Sequence, residues 1–336
     1  MSTLKEILVN KNNSFQSVWF MRQAGRYLPE FKNIRSQNKN FINLCLDSNL
    51  SSEITLQPIK RFNLDSAIIF SDILLVPYAL GQKVDFIKNQ GPALSQFDIN
   101  KFLKNDKLLF LKKLKPVYEA IAKTRKKLNK EKSLICFVGA PWTLLIYMLG
   151  LKEEKGKINF SKLKKEKDNI KITLNLLIEY LCIHIEEQFN AGADVVQIFD
   201  SWAGLIPEVD LVDLCYKPNL ALVNFCKVKK FPVICFPKGI KERYLEFCNI
   251  VNPDGINLDY DVNIMWAKEN LSNVTLQGGM NPQFLLKTDQ EMFLEADRYL
   301  DCFRDVPYIF NLGHGIVPET DPAKVEKLVN YIRDYK

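Results

Sequence analysis

Eight short apolar runs recur along the chain, and their spacing constrains the fold more than any other feature. They are FQSVWF (15–20), SAIIF (66–70), SLICFV (133–138), ADVVQIF (193–199), FPVICF (231–236), GINL (255–258), NVTLQ (273–277) and PYIFNL (307–312). Nearly continuous runs of this kind suit strands buried on both faces, as in a parallel sheet. Most intervals between them carry helix-period patterns, for example 108–128 and 172–189. Strands alternating with helices, eight times over, predict an α/β fold of the (β/α)8 TIM-barrel type. A length of 336 residues with 47% hydrophobic content suits one such barrel. No linker or composition shift divides the chain, so residues 1–336 read as a single domain whose cleft lies at the C-terminal ends of the strands.

Composition excludes several classes of function. The opening MSTLKEILVNKNNS lacks a long apolar segment, and no later window holds about 18 uninterrupted apolar residues. The expectation is a soluble cytoplasmic protein with no membrane partner. Eight cysteines are scattered singly, several inside apolar runs, which fits a reducing compartment. The two histidines, His184 and His314, cannot make a three-histidine metal site. Charged residues sum to 46 − 39 = +7, which favours anionic ligands. The lysine runs KTRKKLNKEK (123–132) and KLKKEK (162–167) mix in glutamate and lack interleaved aromatics. They read as solvated helix faces, so no nucleic-acid partner is expected.

Barrel chemistry sits where the strands end. FMRQAGRYLPEF (20–31) follows the first run and places Arg22 and Arg26 four apart around Gly25. A helix would set two guanidiniums on one face and be weakened by the glycine, so a loop is expected, with Pro29 breaking any helix. The pair reads either as solvated arginines or as two cations converging on an anion. Asp72 follows SAIIF and either caps the next helix or faces the cleft. Tyr147 lies beyond GAPWT, either as core or as a hydrogen-bonding group, and Ser201 follows ADVVQIF. Lys238 follows FPVICF, and His314 stands between two glycines, where backbone or a ligand can approach the imidazole.

Taken together, FMRQAGRYLPEF, TLQPIKRF (55–62), AIIFSDIL (67–74), GAPWTLLIYM (139–148), VVQIFDSWAG (195–204) and NLGHGIVPETDP (311–322) resemble the uroporphyrinogen decarboxylase family. The resemblance implies a single-domain barrel, normally a homodimer, that needs no cofactor and no metal. It implies removal of carbon dioxide from the four acetate side chains of uroporphyrinogen III, giving coproporphyrinogen III for haem synthesis. The residues it places at the substrate are Arg22, Gln23, Ala24, Gly25, Arg26, Asp72, Tyr147, Ser201 and His314. Phe199 and Phe41 would line the pocket, and Arg35 would add positive charge. Asp72 is expected to stabilise a pyrrole cation and Arg22 and Arg26 to hold carboxylates. Substrate affinity is expected to rise toward pH 6 as His314 protonates.

Two loops depart from the family pattern, LGLKEEKGK (149–157) after the tyrosine and QGGMNP (277–282) in place of QGNLDP. A rival reading is a related barrel that transfers methyl groups with zinc and needs a thiolate and histidine cluster. Only Cys182 and His184 are close in sequence, and a spacing of two on a helix points them to different sides. A non-catalytic RNA-binding protein using the lysine runs is the other rival.

Overall fold

The computed structural model describes residues 3–12, 17–87, 91–153, 157–165 and 167–335. Its main sheet has eight parallel strands: β1 Ser17–Val18, β2 Ser66–Ile68, β5 Ser133–Gly139, β6 Val195–Asp200, β7 Val233–Pro237, β8 Gly255–Leu258, β9 Thr275–Gly278 and β10 Tyr308–Phe310. They run in the order β1-β10-β9-β8-β7-β6-β5-β2. The remaining two, β3 Val84–Ile87 and β4 Gly91–Leu94, form a separate antiparallel hairpin. Each of the eight runs read from the sequence contributes a barrel strand; residues 15 and 16 of the first run lie outside the described residues. The barrel closes between β1 and β2, where the Asp65 N–H donates to the Val18 carbonyl (3.0 Å) and the Val18 N–H to the Asp65 carboxylate (2.7 Å).

The same device recurs at the feet of two more strand pairs. The Asp194 carboxylate accepts the Leu134 N–H at 2.8 Å, and Asp254 accepts the Val233 N–H at 2.9 Å. A buried backbone donor must find an acceptor, and the aspartates supply it where the ladders begin. The helix Thr3–Asn10 plugs this end: Leu4, Ile7 and Leu8 pack with Trp19, Ile68, Ile135, Val195, Ile234 and Ile309 in one buried cluster. The barrel is thus filled from below and leaves its opposite mouth to the loops that follow the strands.

The lysine runs serve partly as internal ties. Within 123–132, Lys123 reaches Ser48 and Asn49, Arg125 pairs with Asp194 at 2.8 Å, and Lys132 donates to the Leu64 carbonyl. Lys162 of the second run donates to the Leu149 carbonyl, while the side chains of 164–168 lie outside the described residues. Residues 154–156 of the variant loop 149–157 also lie outside them. Among the described residues no helix is long and apolar enough to cross a membrane.

Candidate active site

The loop after β1 is a turn, as expected, but Pro29 opens a helix instead of ending one. It is the first residue of Pro29–Gln37, where a missing N–H costs nothing because that donor has no intrahelical partner. Gln23 departs from the expectation that it faces substrate: it is fully buried, donating to the Ser66 carbonyl (2.9 Å) and accepting from the Phe20 N–H (3.0 Å). Its own carbonyl accepts from the Tyr27 hydroxyl. The side chain of Gln23 therefore moulds the loop, and what the loop presents outward is Arg22 and Arg26, both exposed, with the half-buried Ala24 and Gly25 between them.

Arg22 adopts the left-handed backbone conformation at φ 60°, which is rare for a residue with a side chain and marks a strained, shaped position. Its side chain lies across Gly315, where a Cβ would come within 2.4 Å of Arg22 Cδ. The glycine after His314 thus makes room for the arginine. Neither Arg22 nor Arg26 has an ion-pair or hydrogen-bond partner for its guanidinium among the described residues. Although Arg22 is exposed by surface area, protein atoms crowd its guanidinium, and its pKa is lowered by this desolvation first and by repulsion from Arg26 second. Asp72 and Tyr147 act in the opposite direction. Arg22 and Arg26 are thus two unpaired cations close enough to repel.

Asp72 is half-buried, and its side chain does not cap the next helix, whose N-cap residue is Leu74. One carboxylate oxygen accepts the Leu74 N–H at 2.8 Å, at the start of the short helix Leu75–Ala79. Desolvation pushes its pKa up to about 6, with the Leu74 hydrogen bond and Arg22 holding it lower than burial alone would. Gly139 allows the loop after Asp72 to meet the helix Pro141–Met148, since a Cβ there would lie 2.9 Å from Leu144 and 3.1 Å from Ile73. That helix carries Tyr147 half-buried on its last turn, its ring 6.0 Å from Trp202 and its pKa raised by desolvation. Ser201 is exposed at the end of β6. His314 is half-buried, and desolvation, then Lys238 and Arg22, lower its pKa to about 4. The imidazole is neutral at pH 6 in the unliganded molecule, which removes the basis for the expected rise in affinity toward that pH.

Phe199 packs edge-on to Phe137 at 5.7 Å inside the mouth. Phe41 stands against Phe70 at 5.9 Å, with Arg35 over its ring at 5.8 Å and also donating to the Asn38 carbonyl. Beneath Ser201 lies a buried network not singled out from the sequence: Asp200 accepts from Thr143 (2.7 Å), Asn219 (3.1 Å) and the Cys215 thiol (3.3 Å). Thr143 in turn accepts the Trp202 N–H at 3.3 Å, tying the end of β6 to the helix of Tyr147. In the variant loop, Gly279 adopts φ 106°, and a Cβ there would lie 2.5 Å from Tyr299. An open recess of about 740 Å³ near Tyr260, Met265 and Arg298 is lined by none of these residues.

The model of the family "Uroporphyrinogen decarboxylase (URO-D)" matches residues 2–335. The chain belongs to that family. It is 41% identical over 342 residues to a uroporphyrinogen decarboxylase of Orientia tsutsugamushi (strain Ikeda), covering 100% of this chain and 99% of the relative. It is 42% identical over 325 residues to one of Rickettsia bellii (strain RML369-C), covering 95% of each. Among solved structures, a methyltransferase from Methanosarcina mazei superposes with TM-score 0.79 at 16% identity, covering 99% of this chain and 97% of that one, a likeness of fold alone. Among the described residues no group of three or more His, Cys, Asp or Glu side chains is arranged to hold a metal ion. His184 bonds instead to the Tyr118 hydroxyl at 3.0 Å, deep between helices.

Proposed function

We propose that the chain is a carboxy-lyase that converts uroporphyrinogen III to coproporphyrinogen III, acting in the cytoplasm as a homodimer, without a cofactor and without binding nucleic acid. The family membership supports the reaction. The observation that carries the site assignment is the unpaired Arg22 and Arg26 beside an Asp72 whose free oxygen lies in the same electrostatic neighbourhood. The substrate brings eight carboxylates on its periphery and four pyrrole N–H donors at its centre. Guanidiniums suit the periphery because each meets a carboxylate with a planar fork and stays charged when desolvated. At about 4 Å and an effective dielectric near 20, one such pair gains roughly 4 kcal/mol before desolvation is subtracted.

Loss of carbon dioxide from an acetate arm needs an electron sink. Protonation of the pyrrole at its α-carbon makes a cation, which takes up the electron pair of the breaking C–C bond; a second proton then completes the methyl group as the first leaves the α-carbon and restores the pyrrole, so one proton is consumed for each carbon dioxide released. Asp72, ionised above pH about 6, accepts the pyrrole N–H bonds and stabilises the cation more than the neutral ring. It therefore lowers the barrier rather than only tightening binding. Arg22 holds the departing carboxylate or places a water, since a guanidinium is a poor acid. Tyr147, Ser201 and His314 hydrogen-bond substrate carboxylates, and Gln23 serves by holding the loop. Carbon dioxide release from enzymatically made uroporphyrinogen, under reducing conditions without added metal, tests the reading; no release overturns it.

A further inference from the structure

A disc bearing carboxylates all round its edge needs cations on more than one side of the mouth. Arg22 and Arg26 follow β1, and in the strand order β7 lies four strands away around the eight-stranded barrel, on the opposite wall. The residue that follows β7 on that wall is Lys238. We propose that Lys238, on the wall opposite β1, acts with His314 to bind a carboxylate of the macrocycle that the two arginines do not hold, an assignment that rests on the tetrapyrrole reading above.

Lys238 is held by its backbone and left free at its side chain. Its N–H donates to the Asp200 carbonyl (3.1 Å) and its carbonyl accepts the Gly204 N–H (2.8 Å). The next residue, Gly239, donates to the Asp259 carboxylate at 2.6 Å, which also accepts the Tyr244 hydroxyl at 2.8 Å. Three neighbouring strand ends, β6, β7 and β8, thus fix the turn. The half-buried ammonium makes no ion pair or hydrogen bond among the described residues. It faces the electrostatic neighbourhoods of His314, after β10, and of Asp259, after β8. Asp259 has one carboxylate oxygen committed to its two donors, and the neutral imidazole offers one N–H beside the ammonium, so a substrate carboxylate finds a cation and a neutral donor together. A fixed backbone beneath an unpaired charge is a preorganised binding group.

The test uses Lys238→Gln and Lys238→Arg in the full chain. With uroporphyrinogen, Lys238→Gln is expected to raise KM about tenfold while kcat changes by no more than about threefold, and Lys238→Arg to restore most of the affinity. Binding of benzenehexacarboxylate, measured by calorimetry at low salt, is expected to weaken in parallel, and this arm stands even if the wild-type chain releases no carbon dioxide. The chain has only two histidines, so NMR titration without substrate reads His314 directly. Loss of the lysine is expected to move the His314 titration upward, because the ammonium disfavours the imidazolium, and to leave His184 in place. Unchanged KM and unchanged benzenehexacarboxylate binding in Lys238→Gln overturn the proposal, even if the His314 titration moves. An unmoved His314 titration overturns the pairing with His314.

Discussion

Replacing Asp72 with Asn separates two quantities that a folded enzyme normally ties together. The Asp72 pKa of about 6 lies 6 − 3.8, or about 2.2 units, above the ordinary carboxylate value, because its surroundings disfavour the charge. At about 1.36 kcal/mol per unit, the ionised side chain lowers the stability of the folded state by roughly 3 kcal/mol at pH 7. The sign follows from proton counting. Below pH about 4 both folded and unfolded chains carry the proton and the cost is absent; it grows as pH rises from about 4 to 6 and is complete above that. Asn keeps an oxygen for the Leu74 N–H and carries no charge. Asp72→Asn is therefore expected to be more stable than wild type at pH 7.5, by up to about 3 kcal/mol, or about 4 °C in Tm for a chain of this length. The gain should shrink toward zero near pH 4. The same variant should lose at least about a hundredfold in kcat, because an amide cannot offset a pyrrolic cation as a carboxylate does. In the wild type the acid limb of the kcat/KM profile should fall near pH 6. Urea melts at several pH values and carbon dioxide release check both halves. Near-normal turnover by Asp72→Asn would refute the cation-stabilising role, and a stability loss at pH 7.5 would refute the account of its burial.

Other outcomes follow from the same geometry. Arg26→Ala should raise KM for uroporphyrinogen about tenfold and reduce the salt sensitivity of KM, read from initial rates at increasing ionic strength. Gly315→Ala should lower kcat/KM by at least about tenfold with only a small change in Tm, because the added methyl occupies the space of Arg22 Cδ, which must then move. Thr143→Val should cost about 1–3 kcal/mol in urea melts, since it strips the buried Asp200 of its shortest hydrogen bond, and should lower kcat by loosening the helix of Tyr147.

The barrel strands were legible because a strand buried on both faces must be apolar along its length, whatever its neighbours. GINL coincides with β8, and the pattern at 108–128 appears as the helix Lys107–Lys127. The hairpin of β3 and β4 lacked that signal: only Val84 of its first strand is buried, so nothing in the segment alternates or clusters. The plug helix leaves a trace, with Leu4, Ile7 and Leu8 at helical spacing, but three apolar residues in so short a segment do not say what they pack against. At the mouth, residue type was informative and direction was not. Gln23 and Arg22 are adjacent in the sequence, yet one is sealed inside and the other exposed, and the cause is a backbone turn at φ 60° that the residue type of Arg22 does not announce. Lys238 was visible as the residue after a strand, but its significance depends on which wall of the closed barrel it stands on.

The loop that carries the two arginines is shaped by the far end of the chain. Met21 donates to the Asn311 side chain at 3.0 Å and accepts the Ile316 N–H at 2.9 Å, while Arg22 rests on Gly315. A ribosome that has made the first nine-tenths of this protein has made Arg22, Arg26, Asp72 and Lys238 but not β10 and the loop after it, against which Met21 and Arg22 are set. Catalytic competence should therefore arrive late and at once, when the final strand emerges and docks, and a chain cut short before it should be inert even with Asp72, Tyr147 and Ser201 intact.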